Sequence, residues 1–428
     1  MQNIKYWIVT YGNVCYTPSG LTVQVCPLSG GQGGMVMNDT EAQRCVEELW
    51  DEYCRALRED EVRRAEVEEC CIAFGKVRMK YGMEVIGEPG PEGYPVYIAL
   101  HGGGGSPTPD MNDRQWEHMG IYYKDSVKCG IYINPRGVRD TWDTHANPES
   151  YPLYDRLIEN LIVFCNADPN RIYLLGFSAG GDGVYLVGPR MADRFAALHM
   201  SAGHPNKGSM VNLYHTPIQL QVGMDDDAYD RNHETVRYQV YLDALQNKDP
   251  DGYIHNVYVH VDKPHNFRDN SQECQEVMID NRVWLADGTV TRRMVDSNAV
   301  HFLEGFTRDP LPKRIIWELK NRYRARMRDV DSFYWLRVPS KIHKGKVIIH
   351  LEPESNSIVV ERDDTDAQVT VLLRDGMLDL DKPVTVVYPD GRRVSHSVSR
   401  SRDIMEETLK ERGDRNYIFT ACLTLDKA

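Results

Sequence analysis

Ser178 is the first residue whose surroundings suit a chemical role. It lies in the stretch "LLGFSAGGDG", between Gly176 and Gly180, at the spacing G-x-S-x-G. The preceding run "RIYLLGF" predicts a strand, and the following "AGGDGVYLVG" predicts the start of a helix. A serine on such a sharp turn exposes its hydroxyl, and glycine on either side avoids a collision between side chains. The alternative is a serine near an ordinary helix start, since this spacing also recurs by chance.

A second glycine-rich segment, "ALHGGGGSP", follows an apolar strand and contains His101. Acyl transfer creates an oxyanion, which backbone N–H groups can stabilise if no side chain intervenes. We expect the N–H of Gly103 or Gly104 to act with that of Ala179 in this role. A flexible loop with a structural histidine is the alternative.

A serine nucleophile needs a base, and the base needs an acid that orients it. The strand "TPIQLQVG" runs into "MDDDAYDRNH", where Asp226 lies three residues beyond Gly223. Asp230 is the alternative acid. His265 follows the strand "YIHNVYVHV" and Pro264 and is the candidate base, with His301 as the alternative. Other acidic and histidine residues are assigned to solvated, sheet or pocket positions: Asp225, Asp227, His145, His255 and His260.

A third segment, "NPRGVRDTWDTH", follows another predicted strand and is a candidate wall of the substrate pocket. Arg136, Arg139 and Trp142 are its candidate contacts, and His101 is a further one. An arginine here would suit an anionic substrate. An ion pair within the loop is an equally good interpretation.

The elements that would position these residues lie between residues 76 and 309. Strands that are apolar on both faces alternate there with helical segments at 154–165, 181–193 and 229–245. This pattern predicts an α/β fold, with a mostly parallel sheet covered by helices on both faces.

The flanking regions follow other patterns. Residues 310–428 contain short strands, the hairpin signal "YPDGRR" and one helical stretch, "DIMEETLKERG", which together predict a C-terminal β-sandwich domain. Residues 1–75 predict an N-terminal extension of short strands and one amphipathic helix. Thr40 and Gln43 fit a capping box at the start of that helix. Its apolar stripe is Val46, Leu49, Trp50, Tyr53 and Leu57.

Composition excludes several classes of function. The 428 residues carry a formal net charge of -13, which argues against a nucleic-acid-binding surface. No apolar run approaches the roughly 18 to 20 residues that span a bilayer. The ten cysteines form no C-x-x-C pair, so a zinc site of the usual spacing is not expected. With no visible signal peptide, we expect a cytoplasmic protein with reduced thiols; a secreted mature form is the alternative.

Four segments together resemble a known family: "HGGGGSP", "DPNRIYLLGFSAGGDGVY", "VGMDDDAYDRN" and "KPHNF". Over roughly residues 76 to 310 the chain resembles the α/β-hydrolase superfamily, and most of all its esterases related to polyhydroxybutyrate depolymerases and feruloyl esterases. The resemblance implies Ser178 as nucleophile, Asp226 as acid and His265 as base, in a chain order known for this fold.

The expected activity is hydrolysis of a small-molecule carboxylic ester through an acyl-enzyme, with no cofactor and no metal. A serine peptidase on the same fold and a non-catalytic binding protein are the alternatives. A homo-oligomer is compatible with the sequence. The resemblance does not cover the N-terminal extension or the β-rich tail, so it gives no substrate.

Overall fold

The computed structural model describes residues 37–105, 108–319, 330–339 and 343–427. The short strands expected before residue 37 lie outside these ranges, as do Cys15 and Cys26. The expected helix is present as α1 (Asp39–Glu59), but its capping box differs from the prediction. Asn38 is the N-cap: its side chain accepts from the N–H of Glu41, whose carboxylate accepts from the N–H of Asn38. Thr40 therefore lies inside the first turn.

The main feature of the fold is a mixed sheet of ten described strands. In chain order they are β1 (Cys71–Phe74), β2 (Val77–Ile86), β3 (Tyr94–Leu100), β4 (Gly130–Pro135), β5 (Ala167–Phe177), β6 (Ala197–Ser201), β7 (Ile218–Gly223), β8 (His255–His260), β9 (Gln275–Met278) and β10 (Arg292–Val295). Their spatial order is β1-β2-β4-β3-β5-β6-β7-β8-β9-β10. The six central strands, in the spatial order β4-β3-β5-β6-β7-β8, are mutually parallel. The antiparallel strands β2 and β1 extend one edge of the sheet, and β9 and β10 extend the other.

Helices cover both faces of this sheet. The described helices after α1 are α2 (Glu61–Glu68), α3 (Pro109–Tyr122), α4 (Ser150–Cys165), α5 (Ala179–Arg190), α6 (Arg231–Lys248), α7 (Asn281–Asp287), α8 (Ala299–Leu303) and α9 (Arg402–Arg412). Residues of α4 and α5 bury one face, and residues of α3 and α8 belong to a separate apolar cluster. Strands β4, β6 and β7 are buried along their whole length, because both faces are covered. The predicted α/β fold class is confirmed.

An additional β-sheet region follows the large sheet. A five-stranded sheet has the order β11-β14-β15-β17-β18, and a four-stranded sheet has the order β12-β13-β16-β19. The strands are β11 (Arg314–Glu318), β12 (Val330–Phe333), β13 (Leu336–Pro339), β14 (Lys346–Glu352), β15 (Ser357–Asp363), β16 (Thr370–Leu373), β17 (Val384–Val387), β18 (Arg393–His396) and β19 (Ala421–Thr424). Trp317 of one sheet stacks on Phe333 of the other at 5.6 Å between ring centroids. The division into domains at residues 76 and 310 stays a prediction.

Buried polar contacts join this region to the helices of the large sheet. Arg308 pairs with Asp414 at 2.8 Å, and both side chains are buried. Arg412 of α9 pairs with Asp193, which lies just after α5. Helix α1 also packs its buried stripe, including Val46 and Leu49, against α9. These contacts hold the chain termini of the described region against the sheet that carries Ser178.

Candidate active site

Ser178 lies at the junction of β5 and α5, in a backbone conformation with φ 59° and ψ -120°. Positive φ is costly for a residue with a side chain, and such strain is concentrated at functional sites. A Cβ on Gly176 would lie 2.4 Å from the carbonyl oxygen of Gly180, and one on Gly180 would lie 2.0 Å from that of Leu100. The turn can therefore form only with glycine at both positions. The N–H of Ser178 donates to the carbonyl of Ser201 on β6 at 2.9 Å, which fixes the turn to the sheet.

The structure brings Ser178, His265 and Asp226 into one hydrogen-bonded series. His265 Nε2 lies 3.0 Å from Ser178 Oγ, and His265 Nδ1 lies 2.7 Å from Asp226 Oδ2. The Asp226 carboxylate can only accept, so Nδ1 carries a proton and Nε2 of the neutral ring is free to accept one from the serine. The Asp226 side chain is 1% exposed and that of His265 33%. The Asp226 carboxylate is thus shielded from water, while the His265 ring is partly open to solvent.

Two neighbouring loops at the carboxyl ends of β7 and β8 position Asp226 and His265, the candidate acid and base. The N–H of Asp225 donates to the carbonyl of Lys263 at 2.9 Å, which ties one loop to the other. The backbone of Asp226 is held by the carbonyl of Gly223 and by the N–H of Asn232. The ring of Phe177 packs edge-on against His265 at 5.5 Å, so the residue before Ser178 also restricts the orientation of the His265 ring.

The glycine run lies across the turn at Ser178. A Cβ on Gly102 would lie 3.4 Å from that of Ser178, and one on Gly104 would lie 3.2 Å from that of Ala179. Gly103 has φ +99°, a conformation that favours glycine. The N–H of Ala179 belongs to the first turn of α5, where backbone donors have no partner within the helix.

One of the two predicted oxyanion donors from this run is corrected by the structure. The N–H of Gly104 donates to Asn112 Oδ1 at 2.7 Å, so it is not available to an oxyanion. Asn112 Nδ2 in turn donates to the carbonyl of Gly104 at 2.9 Å. Asn112 is completely buried. Among the described residues nothing accepts from the N–H of Gly103, which therefore remains the candidate from this loop.

His101 is also corrected, because the structure gives it a supporting role and not a contact with substrate. Its side chain is completely buried. Nε2 accepts from the N–H of Gly137 at 2.9 Å, so the proton is on Nδ1, which donates to the carbonyl of Gly102 at 2.6 Å. Burial lowers the pKa of His101 to about 4, which keeps the ring neutral. The imidazole of His145 packs against it and donates to the carbonyl of His101.

The three candidate pocket residues in the segment after β4 have different surroundings. Arg136 is held by Asp113 at 2.8 Å and by Asp140 at 2.6 Å, so the ion-pair interpretation describes it and it is not free for an anionic substrate. Arg139 pairs with Glu149 on a half-exposed surface. Trp142 is 50% exposed, and its backbone borders Gly104 and Gly105. Trp142 is therefore the candidate that the structure places beside the glycine run.

The alternative acids and bases lie apart from Ser178. Asp230 is held by His233 and Arg237, and its side chain is 48% exposed. His260 Nε2 donates to Gln221 Oε1 at 2.7 Å inside the sheet, and burial lowers the pKa of His260 to about 4. His301 pairs with Asp296 at the surface. Asp225 and Asp227 are exposed, and His255 contacts Asp243.

Sequence patterns did not identify Asn112 or Phe177 as part of this site. Asn112 follows Gly104 by eight residues on α3, a spacing that belongs to no motif. Phe177 has the pattern of an ordinary strand residue, and only its place beside Ser178 could have indicated its contact with His265. Within the described ranges, no three His, Cys, Asp or Glu side chains are grouped so as to hold a metal ion. Nor is any described helix both long and apolar enough to cross a membrane.

Comparisons with known proteins give partial likenesses. No protein-family model matches the sequence. The bifunctional acetylxylan esterase/xylanase XynS20E of Neocallimastix patriciarum is 27% identical over 135 residues, which are 31% of this chain and 19% of that protein. The match therefore spans less than a fifth of the relative's own length.

Among solved structures, a thermostable esterase is similar with a TM-score of 0.39 and 18% identity, covering 56% of this chain and 62% of that chain. The ferulic acid esterase AmCE1/Fae1A of Anaeromyces mucronatus has a TM-score of 0.30 and 15% identity, covering 46% and 83%. These structural likenesses are low, and the fold is identified from its own sheet order and turn at Ser178. Over part of its length the chain is thus similar to proteins that are named as esterases.

Proposed function

We propose that the chain is a serine hydrolase that cleaves a carboxylic ester through a covalent acyl-enzyme intermediate. The observation that carries this proposal is the hydrogen-bonded series from Ser178 Oγ through His265 to the buried Asp226. A hydroxyl is a weak nucleophile until a neighbouring base can take its proton, and this series supplies that base in the required tautomer.

In the first half of the reaction, His265 Nε2 takes the proton of Ser178 as Oγ attacks the ester carbonyl. The imidazolium that forms is stabilised by the Asp226 carboxylate 2.7 Å from Nδ1. The carbonyl oxygen becomes an oxyanion, for which the N–H groups of Gly103 and Ala179 are the proposed donors. The tetrahedral intermediate collapses as His265 returns the proton to the departing alkoxide, which leaves as the alcohol.

The second half repeats these steps with water. His265 removes a proton from a water molecule, whose oxygen attacks the acyl-enzyme carbonyl. The second tetrahedral intermediate breaks its bond to Ser178 Oγ, which regains a proton from His265. The carboxylic acid product leaves, and the side chains return to their starting protonation states.

The substrate proposed for the first tests is an acetyl ester of a polysaccharide, because a sequence relative is named for acetylxylan hydrolysis. The panel should contain acetylated xylan, methyl ferulate and p-nitrophenyl acetate, with peptide anilides to test for peptidase activity. Hydrolysis of an ester with no cleavage of the anilides supports the proposal. Faster cleavage of the anilides than of the esters would favour the peptidase.

A fluorophosphonate probe tests the nucleophile directly. We expect intact mass spectrometry to show one phosphonate on the wild-type chain, localised to the peptide containing Ser178. Ser178→Ala should lose both the adduct and the esterase activity while retaining the wild-type melting temperature. A wild-type chain that binds the ester without hydrolysing it, and takes no probe, would indicate a binding protein on this fold.

A further inference from the structure

A second histidine–aspartate pair lies in the interior of the same sheet. His199 is on β6, and Asp269 follows the catalytic candidate His265 by four residues. His199 Nε2 and Asp269 Oδ2 are 2.9 Å apart, and both side chains are completely buried. Neither residue is required by the reaction proposed above.

The protonation of His199 can be read from the amides around it. Gln221 Nε2 lies 2.6 Å from the carbonyl oxygen of Ser297, which can only accept, so this end of the amide must be the NH₂ group. The same NH₂ group lies 2.8 Å from Gln219, whose facing atom must then be its oxygen. That oxygen is 2.9 Å from His199 Nδ1, so Nδ1 must carry a proton. Turning either amide around would bring two donors or two acceptors together.

The other ring nitrogen of His199 faces a carboxylate that already receives two hydroxyl donors. Tyr123 donates to Asp269 Oδ2 at 2.6 Å, and Tyr122 donates to Oδ1 at 2.7 Å. A carboxylate that accepts several hydrogen bonds is stabilised in its charged form. Burial acts to raise the pKa of Asp269, but the hydrogen bonds from His199, Tyr123 and Tyr122 outweigh burial, and the pKa is lowered. An ionised Asp269 requires a donor at Nε2, which makes His199 an imidazolium.

The pair is attached to the loop that carries His265. The hydroxyl of Tyr122 also lies 3.1 Å from the carbonyl of Phe267, two residues after His265. The Phe267 ring stacks on His260 at 4.5 Å and contacts Phe177 at 5.7 Å. The carbonyl of Asp269 accepts from the N–H of Ala299 at the start of α8. The loop therefore ends at Asp269, which is held by His199, by the two tyrosine hydroxyls and by the N–H of Ala299.

We propose that His199 and Asp269 form a buried imidazolium–carboxylate pair that positions the His265 loop, and with it the base, against Ser178. This proposal rests on the proposed function only for the role of the His265 loop in catalysis. The charge of the pair is a separate property of the fold. Its members are positioning residues, since they act on His265 through other residues: through Phe267 and the chain between, and through Tyr122 and Phe177.

The charge of His199 is tested first, on the wild-type chain. With ¹⁵N-labelled histidine at pH 7.5, we expect one ring to show protons on both nitrogens, and its signals to be absent from the spectrum of His199→Gln. His301 and the other exposed histidines provide the comparison in the same spectrum. If the His199 signals show only one protonated nitrogen, the imidazolium–carboxylate pair does not exist and the proposal fails.

Kinetics then test the positioning role, with Asp269→Asn compared to Asp414→Asn. Both aspartates are buried and paired with a cation, Asp269 with His199 and Asp414 with Arg308, so both variants lose a buried charge. Displacement of a catalytic group by about 1 Å costs on the order of 100-fold in rate. We expect Asp269→Asn to lower kcat by roughly that factor with little change in KM. Asp414→Asn should lower the melting temperature comparably and leave kcat within about twofold of wild type.

A milder variant keeps the test usable if Asp269→Asn does not fold. Tyr122→Phe retains the pair but removes the hydroxyl shared by Asp269 and Phe267, and should lower kcat by about threefold to tenfold. Wild-type kcat in a folded Asp269→Asn or in Tyr122→Phe would overturn the positioning role. If instead the wild-type chain takes no phosphonate and hydrolyses no ester, the proposed function fails, while the spectrum of His199 still decides the charge of the pair.

Discussion

Asp226→Asn is the change that most directly separates the proposed mechanism from its alternatives. The variant keeps the shape of the side chain and removes its charge. In the wild type, the carboxylate 2.7 Å from His265 Nδ1 holds the proton on that nitrogen, so that Nε2 can accept. An asparagine whose NH₂ group faces Nδ1 would favour the other tautomer, with the proton on Nε2. That nitrogen, 3.0 Å from Ser178 Oγ, could then no longer take the proton of the serine.

The expected magnitude follows from how completely Asp226 controls the ring. Its side chain is 1% exposed, so water does not replace the lost charge. Arg231 approaches the other oxygen only at 3.4 Å and cannot orient the imidazole itself. Loss of the acid with retained geometry costs about 10⁴-fold in kcat in a triad of this kind. At 1.36 kcal/mol for each factor of ten, the activation barrier should rise by about 5 kcal/mol.

The matched control is Asp230→Asn, in the same acidic segment. Asp230 is about half exposed and pairs with Arg237, so the same substitution there should change kcat by less than about threefold. Steady-state hydrolysis of p-nitrophenyl acetate should be measured for both variants, at 25 °C and well below each melting temperature. A kcat of Asp226→Asn above about a tenth of wild type would refute the assigned role, as would an equal loss in Asp230→Asn.

Three further outcomes are expected from the supporting residues. Asn112→Ala removes the hydrogen bonds to both backbone groups of Gly104 and should lower kcat for p-nitrophenyl acetate about 10- to 100-fold, with little change in KM. An unchanged kcat would show that these two hydrogen bonds are not needed for catalysis. Gly180→Ala places a Cβ 2.0 Å from the carbonyl of Leu100, so soluble yield or melting temperature should fall sharply, and a wild-type melting temperature would contradict the described turn. Burial lowers the pKa of His101 in the folded state to about 4, below its usual 6.5, so between these pH values the unfolded state binds more protons. The neutral ring therefore contributes stability on the order of 3 kcal/mol above pH 6.5, and this contribution is lost as the pH falls toward 4. Urea unfolding across this range should show that loss, and a smaller slope in His101→Gln.

The central part of the fold could be predicted because each of its strands is apolar on both faces. Such strands, alternating with helical segments, allow few arrangements other than a covered parallel sheet. The antiparallel edge strands β9 and β10 could not be predicted, because each has four residues and β10 is mostly exposed. The start of α1 shows a different limit. Asn38 with Glu41 and Thr40 with Gln43 both have the spacing of a capping box, and only the extended backbone of Asn38 decides between them.

Ser178, Asp226 and His265 could be singled out as candidates because each lies within five residues after a strand, where the chain turns at one edge of the sheet. The residues that support them carry no such signal. From the sequence, Arg136 could equally be a substrate contact or a member of an ion pair. Which of the two applies depends on Asp113, which lies 23 positions earlier on another element. Partners of this kind are chosen by the packing of elements, and not by local spacing.

The backbone groups of the four glycines at 102–105 differ in whether they are already hydrogen-bonded. Four consecutive glycines suggest a loop with several equivalent N–H donors, yet the structure makes them unequal. Asn112 takes the N–H of Gly104, and the Nδ1–H of His101 holds the carbonyl of Gly102. Both holding groups are completely buried, so they fix the loop on either side of Gly103. A donor fixed in advance needs no reorganisation when the oxyanion forms, which is where its energetic advantage over water arises. We therefore expect these two buried polar side chains to restrict the loop to one conformation, in which the N–H of Gly103 has no acceptor among the described residues.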